Sequence, residues 1–196
     1  MNDLVQSVKF DSILATASPI VAADGTIFVA SVSGILRAFQ KVPLPVGAGG
    51  DFWQTDDTSY SLVWSATIFP TPVVATPVIA AVPPSGSYVV IATSGSIAMA
   101  VSGRPGAANF AERWRVDLCE DAAVLDRWVS QFGAATPCAL FLDGSPTPTP
   151  TIAGGGGGVF ACGHGGAGPV FGVCAALAAA DGAVVWRSFI IFSGFR

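Results

Sequence analysis

The chain has 196 residues, of which 52% are hydrophobic and 11% are charged, with a formal net charge of −4 at pH 7. No basic run is interleaved with aromatic residues, so the electrostatic signature of a nucleic-acid-binding protein is missing. The most apolar stretch, residues 68–92, is interrupted by prolines, and residues 170–180 are too few to cross a bilayer. We predict no transmembrane segment, because strands buried on both faces also read as continuous apolar runs.

The first residues, MNDLVQSVKFDSILATA, resemble a signal peptide poorly. They carry Asp3 and Asp11, and their apolar core is short. The localisation therefore stays open: either the protein is not exported, or its true N-terminus lies upstream of this chain. An extracellular or periplasm-like compartment requires the second alternative.

Three segments repeat one layout, which predicts four short strands in each. Each segment opens on Ser or Thr followed by Pro and ends on a strand centred on a tryptophan. Glycine-containing turns separate the strands. The units span residues 17–67, 75–117 and 147–190, with insertions at 41–61 and 118–145. The three proline-led starts and the three tryptophans are Ser18-Pro19, Thr76-Pro77, Thr149-Pro150, Trp64, Trp114 and Trp186.

The second insertion contains one segment with helical spacing, residues 120–132. Val124, Leu125, Trp128 and Phe132 recur there at intervals that predict one amphipathic helix. The rest of both insertions reads as loop.

The third unit carries the clearest turn signal in the chain, Asp181-Gly182. Glycine accepts a positive φ without steric cost, so Asp-Gly between apolar runs predicts a tight turn between two strands. The strand that follows contains Val184, Val185 and Trp186.

Four-stranded units repeated around an axis are typical of β-propellers, and these units resemble the PQQ-like repeat of the quinoprotein alcohol dehydrogenase-like propellers. In that family a strand ending in Ala-Leu-Asp precedes Thr-Gly and a docking tryptophan. Ala176-Leu177, Asp181-Gly182 and Trp186 match those parts, although Ala178 replaces the aspartate and Asp181 the threonine. Ala38-Phe39 and Ala98-Met99 are weaker matches.

The predicted fold is all-β, a partial β-propeller of about three four-stranded antiparallel blades, with a β-sandwich as the alternative. The three tryptophans and Gly182 are expected to dock each blade on its neighbour, since repeated large aromatics are typical of packing. Propellers close with four or more blades. We therefore expect a fragment of a larger propeller, with residues 5–10 ending a preceding blade and residues 189–195 beginning a following one, or a ring completed by self-association.

The function expected from this pattern is a non-catalytic interaction or scaffold domain, with the insertions as its contact surfaces. The expected partner is a protein or the remaining propeller blades. The alternatives are part of a quinone-dependent oxidoreductase and a small-ligand or sugar sensor. The family's quinone enzymes hold PQQ with calcium and a vicinal cysteine pair. This chain has no adjacent cysteines and no matching calcium ligands, so no cofactor is expected.

The remaining reactive side chains form no catalytic or metal-binding pattern, so an enzymatic role is disfavoured without being excluded. His164 is interpreted as an exposed loop residue. The acidic residues of the insertions are interpreted as solvated rather than as calcium ligands, since no D-x-D-x-D-G loop occurs. They are Asp51, Asp56, Asp57, Glu120, Asp121, Asp126 and Asp143.

Four cysteines without a C-x-x-C pair are interpreted as buried free thiols. A disulfide is the alternative if the protein is exported. Cys119 and Cys138, which flank the predicted helix, are then the first candidate pair. Cys162 and Cys174 fall on strands expected to be neighbours.

Overall fold

Three antiparallel sheets make up most of the described residues, and one short helix lies between the second and the third sheet. The computed structural model describes residues 17–43, 58–71, 73, 75–82, 87–102, 110–142, 147–152, 156–165 and 170–192. Within these ranges the predicted all-β class is confirmed. No helix of the described residues is long and apolar enough to cross a membrane.

Each sheet is a meander in which consecutive strands pair with one another. The first sheet contains β1 (Ile20–Val21), β2 (Ile27–Ala30), β3 (Ile35–Pro43) and β4 (Thr58–Thr67). The second contains β5 (Val78–Val82), β6 (Ser87–Ser94), β7 (Ile97–Ser102) and β8 (Glu112–Asp117). The third contains β10 (Thr147–Ile152), β11 (Gly156–Gly165), β12 (Val170–Ala178) and β13 (Val184–Phe192), with β9 (Leu140–Phe141) added on β11.

The three sheets repeat one another down to the register of their last two strands. Trp64 lies opposite Ala38, Trp114 opposite Ala100, and Trp186 opposite Ala176. Directly after each of these pairs the register shifts by a β-bulge. A bulge re-aims the strand that carries it, so the repeated bulge gives the three tryptophans the same place in their sheets.

This register corrects one sequence match. Ala98-Met99 was expected to correspond to Ala38-Phe39, but Trp114 lies opposite Ala100. The true equivalent of Ala38 is therefore two residues further along the chain. Alternating small apolar residues on β7 made the two alignments hard to tell apart, because a shift of two keeps every side chain on the same face.

The sheets stack face to face in chain order, with an apolar core between each pair. The first core joins the tryptophan side of the first sheet to Val90, Ala92, Met99 and Val101 of the second. The second core joins the tryptophan side of the second sheet to Val159, Ala161, Phe171, Val173, Ala175 and Leu177 of the third. β6 and β7, the two central strands of the middle sheet, are thus buried on both faces, which accounts for their largely apolar sequences.

The predicted helix is confirmed as α1 (Ala122–Phe132), and it packs on the third sheet. Val124 and Trp128 are buried, and the Trp128 ring contacts Phe132 and Phe171. Leu125, expected on the apolar side, is partly exposed instead. It lies next to Val124 in sequence, and neighbouring residues on a helix point about 100° apart, so both cannot face the sheet.

Two boundary predictions are wrong. Thr149-Pro150 does not open the first strand of the third unit, since β10 begins at Thr147 and holds that proline inside an edge strand, where no ladder donor is needed. Residues 189–192 do not begin a further strand, because they continue β13. Residues 5–10 lie outside the described residues.

Candidate interaction surface

Trp114 is the residue that joins the second sheet to the third. Its indole Nε1 donates a hydrogen bond to the backbone oxygen of Ala179 at 2.9 Å, and its side chain is buried. Gly182 lies flat against the same ring: a Cβ added there would come within 2.7 Å of the Trp114 Cδ2 and Cε3 atoms. The turn between β12 and β13 therefore acts as the receptor for the tryptophan of the preceding sheet.

The geometry of that turn follows from its sequence. Gly182 has φ +75°, and its N–H donates to the Ala178 oxygen at 2.9 Å. The Asp181 carboxylate accepts a hydrogen bond from the Ala183 N–H at 3.0 Å. Aspartate followed by glycine suits this turn because aspartate holds the backbone through its side chain and glycine tolerates a positive φ.

Trp64 has the corresponding role between the first and second sheets. It is buried, and its ring contacts Phe28 of its own sheet at 6.0 Å and Phe110, just before β8, at 5.7 Å. A polar contact joins the same two sheets, since the Tyr88 hydroxyl donates to both oxygens of Asp24 at 3.1 Å. Burial, and secondarily the nearby Asp24 charge, raises the pKa of Tyr88 to about 12.

Trp186 occupies the same register position as the other two tryptophans, but its surroundings differ. It is 51% exposed, against 8% for Trp64 and 7% for Trp114. Its described aromatic contact lies within its own sheet, where it meets Phe160 at 6.0 Å across Ala176. The expectation that it docks on a neighbouring sheet is therefore not met within the described part of this chain.

Trp186 belongs to a face of the third sheet that we call the outer face. Residues directly opposite each other on paired strands share a face, and three such rows run across β11, β12 and β13. The rows are Phe160–Ala176–Trp186, Cys162–Cys174–Ser188 and His164–Gly172–Ile190.

The outer face is mainly apolar in its described part, with Ser188 and His164 as its polar side chains. Phe160, Trp186 and Ile190 are all exposed there, and none of the nine residues is Asp, Glu, Lys or Arg. A contiguous exposed patch of large apolar side chains on a protein surface is typical of an interaction site, whereas single exposed apolar residues need no explanation.

The cysteines contradict the expectation of free thiols, since all four are paired. Cys162 and Cys174 lie directly opposite each other in the middle row of the outer face, with Cα atoms 4.1 Å apart. Their bond links β11 to β12 in addition to the backbone ladder. The covalent link preorganises the outer face, which lowers the ordering cost of any association there.

The second disulfide, Cys119–Cys138, closes the insertion around α1, with Cα atoms 5.6 Å apart. Asp121 caps the helix by accepting hydrogen bonds from the N–H groups of Ala123 and Val124, both at 3.1 Å. Its other oxygen is 3.0 Å from Arg187 Nη1 on β13. The insertion is therefore tied to the third sheet covalently, by capping and by charge.

These contacts change the interpretation of Asp121 from a solvated carboxylate to a structural one. His164 is exposed, as expected, but it lies on β11 rather than in a loop. Asp51, Asp56, Asp57 and Asp143 fall outside the described residues. Among those that are described, no group of three or more His, Cys, Asp or Glu side chains could hold a metal ion.

A scan against protein-family models finds no match, and a search of curated proteins finds none either. The site therefore rests on geometry alone. Sequence reasoning identified Trp186 but not the face around it, because Phe160 and Ile190 lie far from it along the chain.

Proposed function

We propose that this protein is a non-catalytic interaction module built from PQQ-like propeller repeats, and that the outer face of the third sheet is its contact surface. The observation that supports it is the contrast among three equivalent tryptophans, of which two are covered by the next sheet and Trp186 is half exposed. The position that joins the sheets at Trp64 and Trp114 is thus open to other molecules at Trp186.

The composition of the outer face supports the same proposal. Exposed aromatic side chains are enriched at protein interfaces, where they contribute much of the binding energy, and charged residues are depleted at the centre of such surfaces. The Cys162–Cys174 bond lies in the middle row of this face and links β11 to β12, which restrains the conformation of the face. Disulfides are also typical of proteins in oxidising compartments.

The insertions, expected as contact surfaces, are less suited to that role in their described part. Residues 118–142 are packed on the third sheet and fixed by the Cys119–Cys138 bond and the Asp121–Arg187 pair. Their side chains stabilise the sheet, so the proposal places the contact surface on the outer face instead.

A dye that fluoresces on exposed apolar surface tests this proposal. We expect Trp186→Ser to lower dye binding severalfold and Leu62→Ser to leave it nearly unchanged. Leu62 is the matched control because it is 51% exposed, as Trp186 is, but lies on the first sheet, away from the outer face. Equal effects of the two substitutions would contradict a specific apolar surface.

A parallel titration with PQQ and calcium, coupled to dye reduction, tests the catalytic alternative. We expect neither saturable binding nor turnover. Saturable quinone binding with turnover would replace the interaction module by a quinone-dependent oxidoreductase, whatever the apolar dye shows.

A further inference from the structure

We infer that the partner of the outer face is a second copy of this chain, bound through the same face in a two-fold symmetric dimer. The inference rests on the proposed function, since it names the partner of that contact surface. It follows from which faces of the described sheets are free and which are already covered.

The packing of the sheets within this chain indicates which kind of surface fits the outer face. Inside this chain the tryptophan side of each earlier sheet packs against the apolar face of another antiparallel sheet. Sheets pack face to face with their twists aligned and their side chains interdigitating. The outer face continues this series, so another antiparallel sheet is the surface that complements it.

The outer face also lacks the acidic side chains that would make two copies of this chain repel each other there. The chain carries a formal net charge of −4, so two copies repel each other over most of their surface. In its described part the outer face holds no Asp, Glu, Lys or Arg and therefore adds no repulsion of its own. An uncharged face also gives no electrostatic preference for an acidic or a basic partner.

The side of the first sheet that faces away from Trp64 distinguishes a head-to-tail contact from a symmetric one. A head-to-tail contact would bring the outer face against the side of the first sheet that faces away from Trp64. On that side Val29 and Phe39 are already buried within one chain. Arg37 lies between them, with its Nη1 atom buried and without a hydrogen-bond partner among the described residues. The middle of this side is therefore covered and carries a cation, and only its margins, such as Leu62 on β4, are exposed. It offers no continuous apolar surface to another sheet.

The outer face of a second copy is the remaining complementary surface among the described sheets. A contact between identical faces is isologous and closes at two subunits, whereas a head-to-tail contact extends into rings or filaments. In a two-fold arrangement the row Phe160–Ala176–Trp186 can lie over the row His164–Gly172–Ile190 of the partner. The small residues Ala176 and Gly172 then leave room at the centre for the large side chains around them.

Sedimentation velocity over a hundredfold range of concentration tests the inference on the full chain. We expect a reversible monomer–dimer equilibrium without larger species. Trp186→Lys and Ile190→Lys should each weaken dimerisation by about thirtyfold or more, because a charge placed within an apolar interface must be desolvated. Far-UV circular dichroism and cooperative unfolding show that the variants fold, and two separate positions guard against one misfolded variant.

Leu62→Lys is the control, because Leu62 is as exposed as Trp186 but lies on the side of the first sheet that faces away from Trp64. Dimerisation should be unchanged in that variant. Loss of dimerisation in Leu62→Lys, or a series of oligomers larger than the dimer, would indicate a head-to-tail contact and overturn the symmetric dimer.

A monomer at every concentration would overturn the inference, yet leave the proposed function standing if Trp186→Ser still lowers binding of the apolar dye. Hydroxyl-radical footprinting gives an independent readout on the wild-type protein. Oxidation of Trp186 should fall as concentration rises, whereas oxidation of Leu62 should not. Equal oxidation of Trp186 in dilute and concentrated samples would contradict the proposed interface.

Discussion

The junction between the second and third sheets and the outer face of the third sheet present the same residue in two environments. At the junction Trp114 donates a hydrogen bond to Ala179 and packs on Gly182. On the outer face Trp186 has the same register to its neighbouring strand but contacts, among the described aromatic rings, only Phe160. The strand and its bulge therefore place the side chain, while the sheet opposite decides whether it is buried.

The free energy of this difference is large for one side chain. A tryptophan buries about 200 Å² when covered, which at about 25 cal/mol per Å² is roughly 5 kcal/mol. A half-exposed tryptophan gains about half of that. The other half of this free energy becomes available when another surface covers Trp186. The outer face therefore differs energetically from an ordinary exposed part of the fold.

The most direct way to break the comparison is to remove each ring. We expect Trp114→Ala to lower the free energy of unfolding by about 3–5 kcal/mol, because it opens a cavity in the core and leaves the Ala179 oxygen unpaired. Trp186→Ala should cost about 1–2 kcal/mol, measured by urea denaturation of dilute protein. Equal losses at the two positions would show that the outer face is covered within the monomer.

The receptor side of the junction can be probed through glycine. Gly182→Ala should cost about 1–3 kcal/mol more than Gly25→Ala. Both glycines have positive φ, +75° and +82°, but only the Cβ at position 182 meets a neighbour, the Trp114 ring. Thermal unfolding of the two variants separates the contact from the backbone strain, and similar losses would mean that the turn does not press on the indole.

The ion pair Asp121–Arg187, which joins the insertion around α1 to the third sheet, should affect stability less than these contacts do. Asp121→Asn keeps a helix-capping side chain but removes the ion pair with Arg187, and we expect a loss of about 1 kcal/mol. Glu112→Gln is the control, since that residue pairs with Arg115 at the same 3.0 Å but on a more exposed surface of one strand. The control should change stability by less than about 0.5 kcal/mol. High salt should narrow the difference, and an unchanged difference would point to the cap rather than to the charge.

The first junction is expected to respond to alkaline pH. Because burial raises the pKa of Tyr88 to about 12 from an ordinary value of 10.0, the unfolded chain loses its phenolic proton first. Protonated Tyr88 therefore contributes to the stability of the folded state. This contribution is complete below pH 10 and is lost as pH rises from 10 towards 12. Screening at this partly exposed site limits the loss to about 1 kcal/mol. Tyr88→Phe should lose this component of the pH dependence, and an identical alkaline profile in the variant would contradict its origin.

Much of the fold could be predicted from local patterns. The Asp181-Gly182 turn, the helix around Trp128 and the recurring tryptophans all depend on residues close together in sequence. Turns and helices form through contacts over a few positions. Four strands per unit followed from apolar runs separated by glycine, for the same reason. The errors at Pro150 and Ala98 concern where an element begins and which register it takes, and both depend on the paired strand.

The amino-acid sequence by itself determined that this protein repeats a four-stranded unit and that each unit places a tryptophan on its last strand. Only the tertiary structure decided that Trp114 is buried and Trp186 exposed, that all four cysteines are paired, and that Asp121 caps a helix and binds Arg187. Burial and pairing depend on which residues distant in sequence meet. Trp114 meets a turn 65 residues away and Asp121 an arginine 66 residues away, and no local pattern encodes those distances.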